Sequence, residues 1–316
     1  MIPIISDTTN RLEITIILSS KCNLNCDFCF VVGNRKFNDT PITEQSIDND
    51  FRCAYQLIQS CHKQYTDVVL MGGEIFLDCY SNSVISRYKY HMDRIKQLCN
   101  DIGSTLSVSY MTNLIYKKID RVINLVSETN GELHCSYDFY GRFKSGAVRN
   151  LWLKNIDRVK QSQIPYFVSI VATKRNVVVI QNGSKECDVI LDNHPFYIGY
   201  YERQDGKSHD NDYLPMSQYS SFLCFINDQY PADKFIGDLK QYYNKHRKFC
   251  HRSFTIHNGK YSQCCDHDLC EKQYIANHKC LMCRHFTRCP KPCPRVFANQ
   301  QCPFVELFDE YNKVVQ

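Results

Sequence analysis

Short apolar runs rich in β-branched and aromatic residues recur along the first two-thirds of the chain, at Leu12–Leu18, Asp67–Met71, Thr105–Tyr110, Glu132–Tyr137, Tyr166–Ala172 and Pro195–Tyr201. Runs of this length bounded by polar segments predict buried strands. Between them apolar positions fall at helical spacing. Ile47, Phe51, Ala54, Leu57 and Ile58 share one face behind a Thr43 cap, and Ser81–Asn100 and Val148–Gln161 repeat the pattern. Alternating strands and helices predict βαβ crossovers and a parallel sheet of the α/β class. With six strands it forms an open sheet or a partial (β/α)6 TIM-like barrel.

The polar, glycine-containing segment Arg203–Tyr213 predicts a linker or exposed loop, and a helix from about Pro231 to Lys248 leads away from it. The chain thus divides into a core at 1–205, a linker and bridging helix at 206–245, and a small cysteine-rich domain at 246–316. A length of 316 residues suits one large unit plus one smaller. No fixed-period repeat or low-complexity tract interrupts this order.

Composition adds constraints. With 43% apolar and 22% charged residues the chain has ample material for a core. The net charge of +5, from 38 basic and 33 acidic side chains, is too small to imply nucleic-acid binding. No apolar run reaches membrane-spanning length, and Met1–Asp7 lacks the basic start and apolar core of a signal peptide, so a soluble cytoplasmic protein with no membrane partner is expected. Nineteen cysteines, an odd number in a reducing compartment, point to metal ligation rather than a disulfide framework. Ten of them lie from Cys224 onward, and one tight group sits near residue 25.

That group, Cys22-x3-Cys26-x2-Cys29, directly follows the first predicted strand, at the carboxyl end of a parallel sheet where α/β folds place chemistry. Three thiolates on one loop can hold three irons of a cubane cluster and leave the fourth open; a zinc site short of one ligand, or incidental cysteines, are the alternatives. C-x3-C-x2-C with an aromatic, here Phe28, before the last cysteine resembles the signature of the radical S-adenosylmethionine superfamily, and the likeness runs over residues 10–200. It implies a catalytic [4Fe–4S] cluster on Cys22, Cys26 and Cys29, with S-adenosylmethionine as cofactor. Gly72-Gly73-Glu74, at the end of the second strand, looks like the family's glycine–glycine–glutamate motif for the methionyl amino group, its glycines permitting close backbone approach. The resemblance also implies that Asn113 after Thr112, together with Ser136 and Asp138, contacts the cofactor's ribose and carboxylate. Arg149, or alternatively Arg142, would pair with that carboxylate, and Ser169–Thr173 with Ile170 would flank adenine. The implied chemistry is reductive cleavage to a 5′-deoxyadenosyl radical that abstracts hydrogen from substrate.

A second series runs Cys250-x8-Gly259-x4-Cys264, then Cys280-x2-Cys283-x5-Cys289-x3-Cys293, then Cys302. It resembles the SPASM auxiliary-cluster extension of peptide- and protein-modifying radical enzymes. By that resemblance Cys280, Cys283, Cys289 and Cys302 hold one auxiliary [4Fe–4S] cluster, and Cys250, Cys264 and Cys293 contribute to another. Its fourth ligand is left open among Cys224, Cys265, Cys270, His246 or an exchangeable site. Paired zinc knuckles are the alternative reading.

Together these features imply a maturase that oxidises or cross-links a side chain of a peptide or protein substrate, a ribosomal peptide being favoured, with electrons from a flavodoxin or ferredoxin. Sulfatase maturases place a catalytic aspartate directly after the cysteine equivalent to Cys264, whereas here Cys265 intervenes before Asp266; Asp266 is kept as a candidate base. A formylglycine-forming activity and a radical dehydrogenase or epimerase acting on a small molecule are the alternatives. Few residues precede Cys22, so a leader peptide is expected to be bound by a separate protein or by the core itself. A cluster-bearing nucleic-acid binder finds no recognisable RNA-binding appendage.

Overall fold

The computed structural model describes residues 10–26, 28, 29, 31, 41–140, 142, 143, 145–200, 212–230, 234, 235 and 253–262. The strands are β1 (Arg11–Ile17), β2 (Tyr65–Met71), β3 (Thr105–Thr112), β4 (Glu132–Tyr137), β5 (Tyr166–Ala172), β6 (Phe196–Tyr200), β7 (Ser253–His257) and β8 (Lys260–Ser262). The helices are α1 (Glu44–Cys61), α2 (Asn82–Asp101), α3 (Ile119–Glu128), α4 (Gly146–Gln161), α5 (Lys174–Gln181), α6 (Lys185–Leu191) and α7 (Met216–Gln229). All six expected strands form, and so do the three helices expected between them. Thr43 caps α1 as its sequence predicts: its hydroxyl accepts from Ser46 N–H at 3.1 Å, and Ser46 Oγ accepts from Thr43 N–H at 3.0 Å.

The strands make one sheet in the order β6-β5-β4-β3-β2-β1-β7-β8. Neighbours are parallel from β6 through β7, and β8 turns back antiparallel on β7. Strands 1 to 6 lie side by side in chain order. Crossovers of one hand between consecutive neighbours put their helices on a single face, the arrangement that coils into a barrel rather than a doubly wound sheet.

Burial follows from this. Leu12, Ile14 and Ile16 of β1, Val68 and Leu70 of β2, Leu133, Cys135 and Tyr137 of β4, and Val168, Ile170 and Ala172 of β5 join one core with Ile47 and Phe51 of α1 and Trp152 and Ile156 of α4. The alternate residues, among them Thr15, Val69, Ser136 and Ser169, face away from the helices and are only half-buried. The sheet therefore has a packed outer face and an open, largely polar inner face.

Two elements lie beyond position 205. Helix α7 falls within the segment expected as a linker, and Phe222, Leu223 and Ile226 bury it in the main core. Of the helix expected from Pro231, residues 234 and 235 are described, and Phe235 makes a parallel bridge to Phe196; the remainder lies outside the described residues. The β7–β8 hairpin adds to the edge of β1. His257 Nδ1 bonds the Ile17 carbonyl at 2.6 Å, and Gly259 N–H, in a left-handed turn with φ +67°, donates to Asp50 Oδ1 at 2.6 Å.

Asp50 is 1% exposed, and its Oδ2 has no hydrogen-bond partner among the described residues. Burial pushes its pKa from 3.8 up to about 6, with the Gly259 hydrogen bond opposing. Ionising the carboxyl therefore costs stability, and the contribution present below pH 3.8 is lost as pH rises through about 6. Asp50→Asn keeps an oxygen for Gly259 and removes the titration. The stability of wild type relative to this variant should fall by about 2–3 kcal/mol between pH 4 and 7 and then level off, as read by urea unfolding across that range.

Candidate active site

The loop after β1 runs into Cys22, Cys26 and Cys29, and the end of β2 carries Gly72, Gly73 and Glu74. The two segments are joined backbone to backbone: Leu18 N–H donates to Met71 O at 3.0 Å, Gly73 N–H to Ser19 O at 2.7 Å, and Glu74 N–H to Lys21 O at 2.9 Å. A Cβ on Gly73 would stand 2.2 Å from Lys21 O and 2.4 Å from Ser20 O, and one on Gly72 would stand 2.5 Å from Ser19 O. No side chain fits at either position, so the two glycines are required by the approach of the cysteine loop.

The Glu74 side chain carries the link on to β3. Its carboxylate, 1% exposed, accepts from Asn113 N–H at 2.7 Å, Phe76 N–H at 3.0 Å and Thr112 Oγ1 at 3.0 Å. Burial pushes its pKa up to about 7, against the pull of these donors and of the nearby Arg142 cation. Asn113 then reaches back to the cysteine loop, donating from Nδ2 to Asn23 Oδ1 at 2.8 Å and to Cys22 Sγ at 3.5 Å. Asn23 returns a bond to the Ile115 carbonyl at 2.5 Å.

Cys22, Cys26 and Cys29 are half-buried. Leu24 N–H points at Cys22 Sγ at 3.3 Å, and Cys29 N–H bonds the Cys26 carbonyl at 3.1 Å. Desolvation, the largest cause, pushes the Cys22 thiol up to about 12, and Glu74, Cys26 and Cys29 push in the same direction. Among the described residues no three His, Cys, Asp or Glu side chains are gathered at metal-binding separation. The donor set nevertheless fits an iron–sulfur cluster: three thiols on one short loop, with N–H groups aimed at sulfur and a cation at hand to offset thiolate charge.

That cation is Arg142. Its guanidinium lies over the Phe28 ring at 5.5 Å, the side chain is buried, and its Nε has no hydrogen-bond partner among the described residues. It draws electrostatically on both Glu74 and Asp138. Asp138, raised by burial, accepts from Asn176 Nδ2 at 2.8 Å and Tyr140 N–H at 2.8 Å. Ser136 is brought to the same end of β4, where its carbonyl accepts from Trp152 Nε1 at 3.1 Å. Arg149 is engaged elsewhere, its Nε bonding Glu186 Oε1 at 3.0 Å beside the Tyr137 hydroxyl. The structure thus brings Phe28, Gly72, Gly73, Glu74, Asn113 and Asp138 around the cysteine loop together with Arg142. Neither periodicity nor spacing marks Arg142, which stands in a turn between β4 and α4. Cys250, Cys264, Asp266, Cys280, Cys283, Cys289, Cys293 and Cys302 lie outside the described residues.

Gly73→Ala should break the Ser19 and Lys21 bonds and destabilise the protein by about 2–4 kcal/mol, with alkylation of Cys22 by iodoacetamide accelerated. Gly146→Ala, at a helical glycine whose added Cβ meets nothing within 4 Å, should be neutral or stabilising by a few tenths of a kcal/mol. Denaturant unfolding and peptide mapping read both variants.

No protein-family model matches the chain, and no curated protein matches it by sequence. Solved structures match by fold. A structure of native anSMEcpe with bound AdoMet and Cp18Cys peptide, an anaerobic sulfatase-maturating enzyme, superposes with a TM-score of 0.63 at 13% identity over 96% of each chain. A histidine-tagged form of anSMEcpe with bound AdoMet gives the same TM-score and coverage. Streptococcus suis SuiB bound to precursor peptide SuiA superposes with a TM-score of 0.56 at 15% identity, over 93% of this chain and 74% of that one. The parallel array β1–β6, with its cysteine loop after β1 and its paired glycines after β2, has the α/β fold of these solved structures.

Proposed function

We propose that this chain is a radical S-adenosylmethionine maturase that oxidises or cross-links a side chain of a peptide or protein. The observation that carries the reading is the three-thiol loop held backbone to backbone on the Gly72–Gly73 turn, at the carboxyl end of a sheet with that fold. The structural neighbours anSMEcpe and SuiB are recorded with bound peptides, which supports a peptide as the substrate class here.

In this reading Cys22, Cys26 and Cys29 would hold a [4Fe–4S] cluster, which when bound would supply an electron to S-adenosylmethionine. The chain's own residues do the positioning. Gly72 and Gly73 leave backbone within reach of the cofactor's methionyl end. Asn113, Ser136 and Asp138 offer polar contacts from three strand ends, and Phe28 walls the loop. Arg142, rather than Arg149, would meet the cofactor carboxylate; the unpartnered Nε of its buried side chain and the bond of Arg149 to Glu186 support this choice. The reading extends to auxiliary clusters on Cys280, Cys283, Cys289 and Cys302, and on Cys250, Cys264 and Cys293. It also assigns Asp266 as base, and a flavodoxin or ferredoxin as donor. Formylglycine formation is the alternative within the same chemistry.

Anaerobically reconstituted protein should hold about eight to twelve irons and little zinc. Reduced with dithionite, it should convert S-adenosylmethionine to 5′-deoxyadenosine, and Cys22→Ala, Cys26→Ala and Cys29→Ala should each abolish that product by chromatography. Stoichiometric zinc without iron would refute the proposal.

A further inference from the structure

The inner face of the sheet carries a second constellation, one layer below the strand ends just described. The register sets its rows. Ser136 lies opposite Ser169, and Ser169 opposite Tyr197, forming the upper row. One step down, Met111 lies opposite His134, and His134 opposite Phe167. A strand rises ~3.3 Å per residue, so this lower row sits ~7 Å beneath the upper one. Met111 packs on a small cluster of Ile17, Val31, Met71 and Cys29, which ties the lower row to the underside of the cysteine loop.

His134 is the polar member of that row. Its Nε2 bonds Glu132 Oε1 at 2.7 Å, and its ring centroid lies 4.1 Å from that of Phe167, which in turn lies 6.3 Å from Tyr197. Glu132 stands two residues earlier on β4 and therefore on the same face. With Nε2–H donated to the carboxylate, Nδ1 is the acceptor nitrogen, and it has no hydrogen-bond partner among the described residues. The His134 side chain is 17% exposed and that of Glu132 42%, so the pair looks onto the open inner face rather than into packed core. A closed TIM barrel fills this layer with interlocking apolar side chains. Here the layer offers an oriented imidazole between Phe167, with Tyr197 of the upper row above it, and a thioether wall, Met111 and Met71.

We infer that the His134–Glu132 pair is the subsite for the reacting residue of the substrate, and that this residue is a tyrosine-type side chain: a ring resting over the Met111–His134–Phe167 row whose phenol donates to His134 Nδ1. Two features select it. The ring and sulfur walls favour a flat aromatic group. The imidazole acceptor favours one with an O–H, because a ring without a donor would cover Nδ1 and leave it unpaired in the complex. The inference rests on the maturase reading for the statement that this face holds the substrate; the binding chemistry stands on the geometry alone.

The test uses the full-length reconstituted protein and three probes, N-acetyltyrosinamide, N-acetylphenylalaninamide and N-acetylserinamide, with binding measured by ligand-observed NMR. The tyrosine probe should bind about threefold to tenfold tighter than the phenylalanine probe, the worth of one hydrogen bond, and the serine probe should not register. His134→Leu should erase the tyrosine preference while retaining binding of the phenylalanine probe, which also shows that the wall is intact. Glu132→Gln, a partly exposed change, should reduce the preference by loosening the imidazole. Independently, carbethoxylation of His134 by diethyl pyrocarbonate, mapped by mass spectrometry, should be slowed by the tyrosine probe. Equal binding of the two aromatic probes to wild type, or an unchanged preference in His134→Leu, would overturn the subsite. Neither readout requires cofactor cleavage, so loss of the maturase reading and loss of this subsite are separable results.

Discussion

The hydrogen bonds from Gly73 N–H to the Ser19 carbonyl and from Glu74 N–H to the Lys21 carbonyl clamp the cysteine loop onto the end of β2. The clamp works only because both positions before Glu74 lack a Cβ. Everything else at the site hangs from it. Glu74 is turned inward, where its carboxylate gathers the Asn113 N–H and the Thr112 hydroxyl at the end of β3; Asn113, fixed by that contact, reaches back to Asn23 and Cys22. The result is a closed circuit of three segments, β1 loop to β2 turn to β3 end and back, that fixes Cys22 before any cluster is bound. Preorganisation of this kind lowers the cost of assembling a metal site.

Charge is arranged to the same end. Glu74 and Asp138 are buried acids raised by desolvation, and Arg142 lies between them over Phe28. A buried cation with an unmatched donor is costly unless something anionic completes it. In the proposed function the cofactor carboxylate does so, while the raised Cys22 thiol gives up its proton as metal binds. The sheet beneath has two unlike faces: its outer face packs against helices and holds the fold, its inner face is only half-buried, and in the proposed function that inner face takes the substrate.

Much of this was legible in the sequence. Short β-branched and aromatic runs located all six core strands, helical spacing located the helices between them, and Thr43 announced the start of α1. Three features were not. Helix α7 sits in a segment whose polar flank reads as linker, and its burial depends on tertiary contacts of Phe222 and Ile226 that no local pattern encodes. The pairing of β7 with β1 joins residues some 240 apart, and such non-local edges leave no periodic trace. The choice of Arg142 over Arg149 was the third: the sequence offered both, and only the turn that sets Arg142 over Phe28 and the bond that takes Arg149 to Glu186 separate them. The likeness in cysteine and glycine motifs agreed with the fold because those residues answer to backbone geometry, which persists at 13% identity.

The central claim is that the loop of Cys22, Cys26 and Cys29 holds a cluster with an iron open to S-adenosylmethionine. Electron paramagnetic resonance of the reduced, reconstituted protein tests it most directly. Addition of S-adenosylmethionine should change the g-values of a reduced [4Fe–4S] signal that is missing from the triple alanine variant at these cysteines. A spectrum indifferent to S-adenosylmethionine, or one unchanged by the triple substitution, would contradict the account.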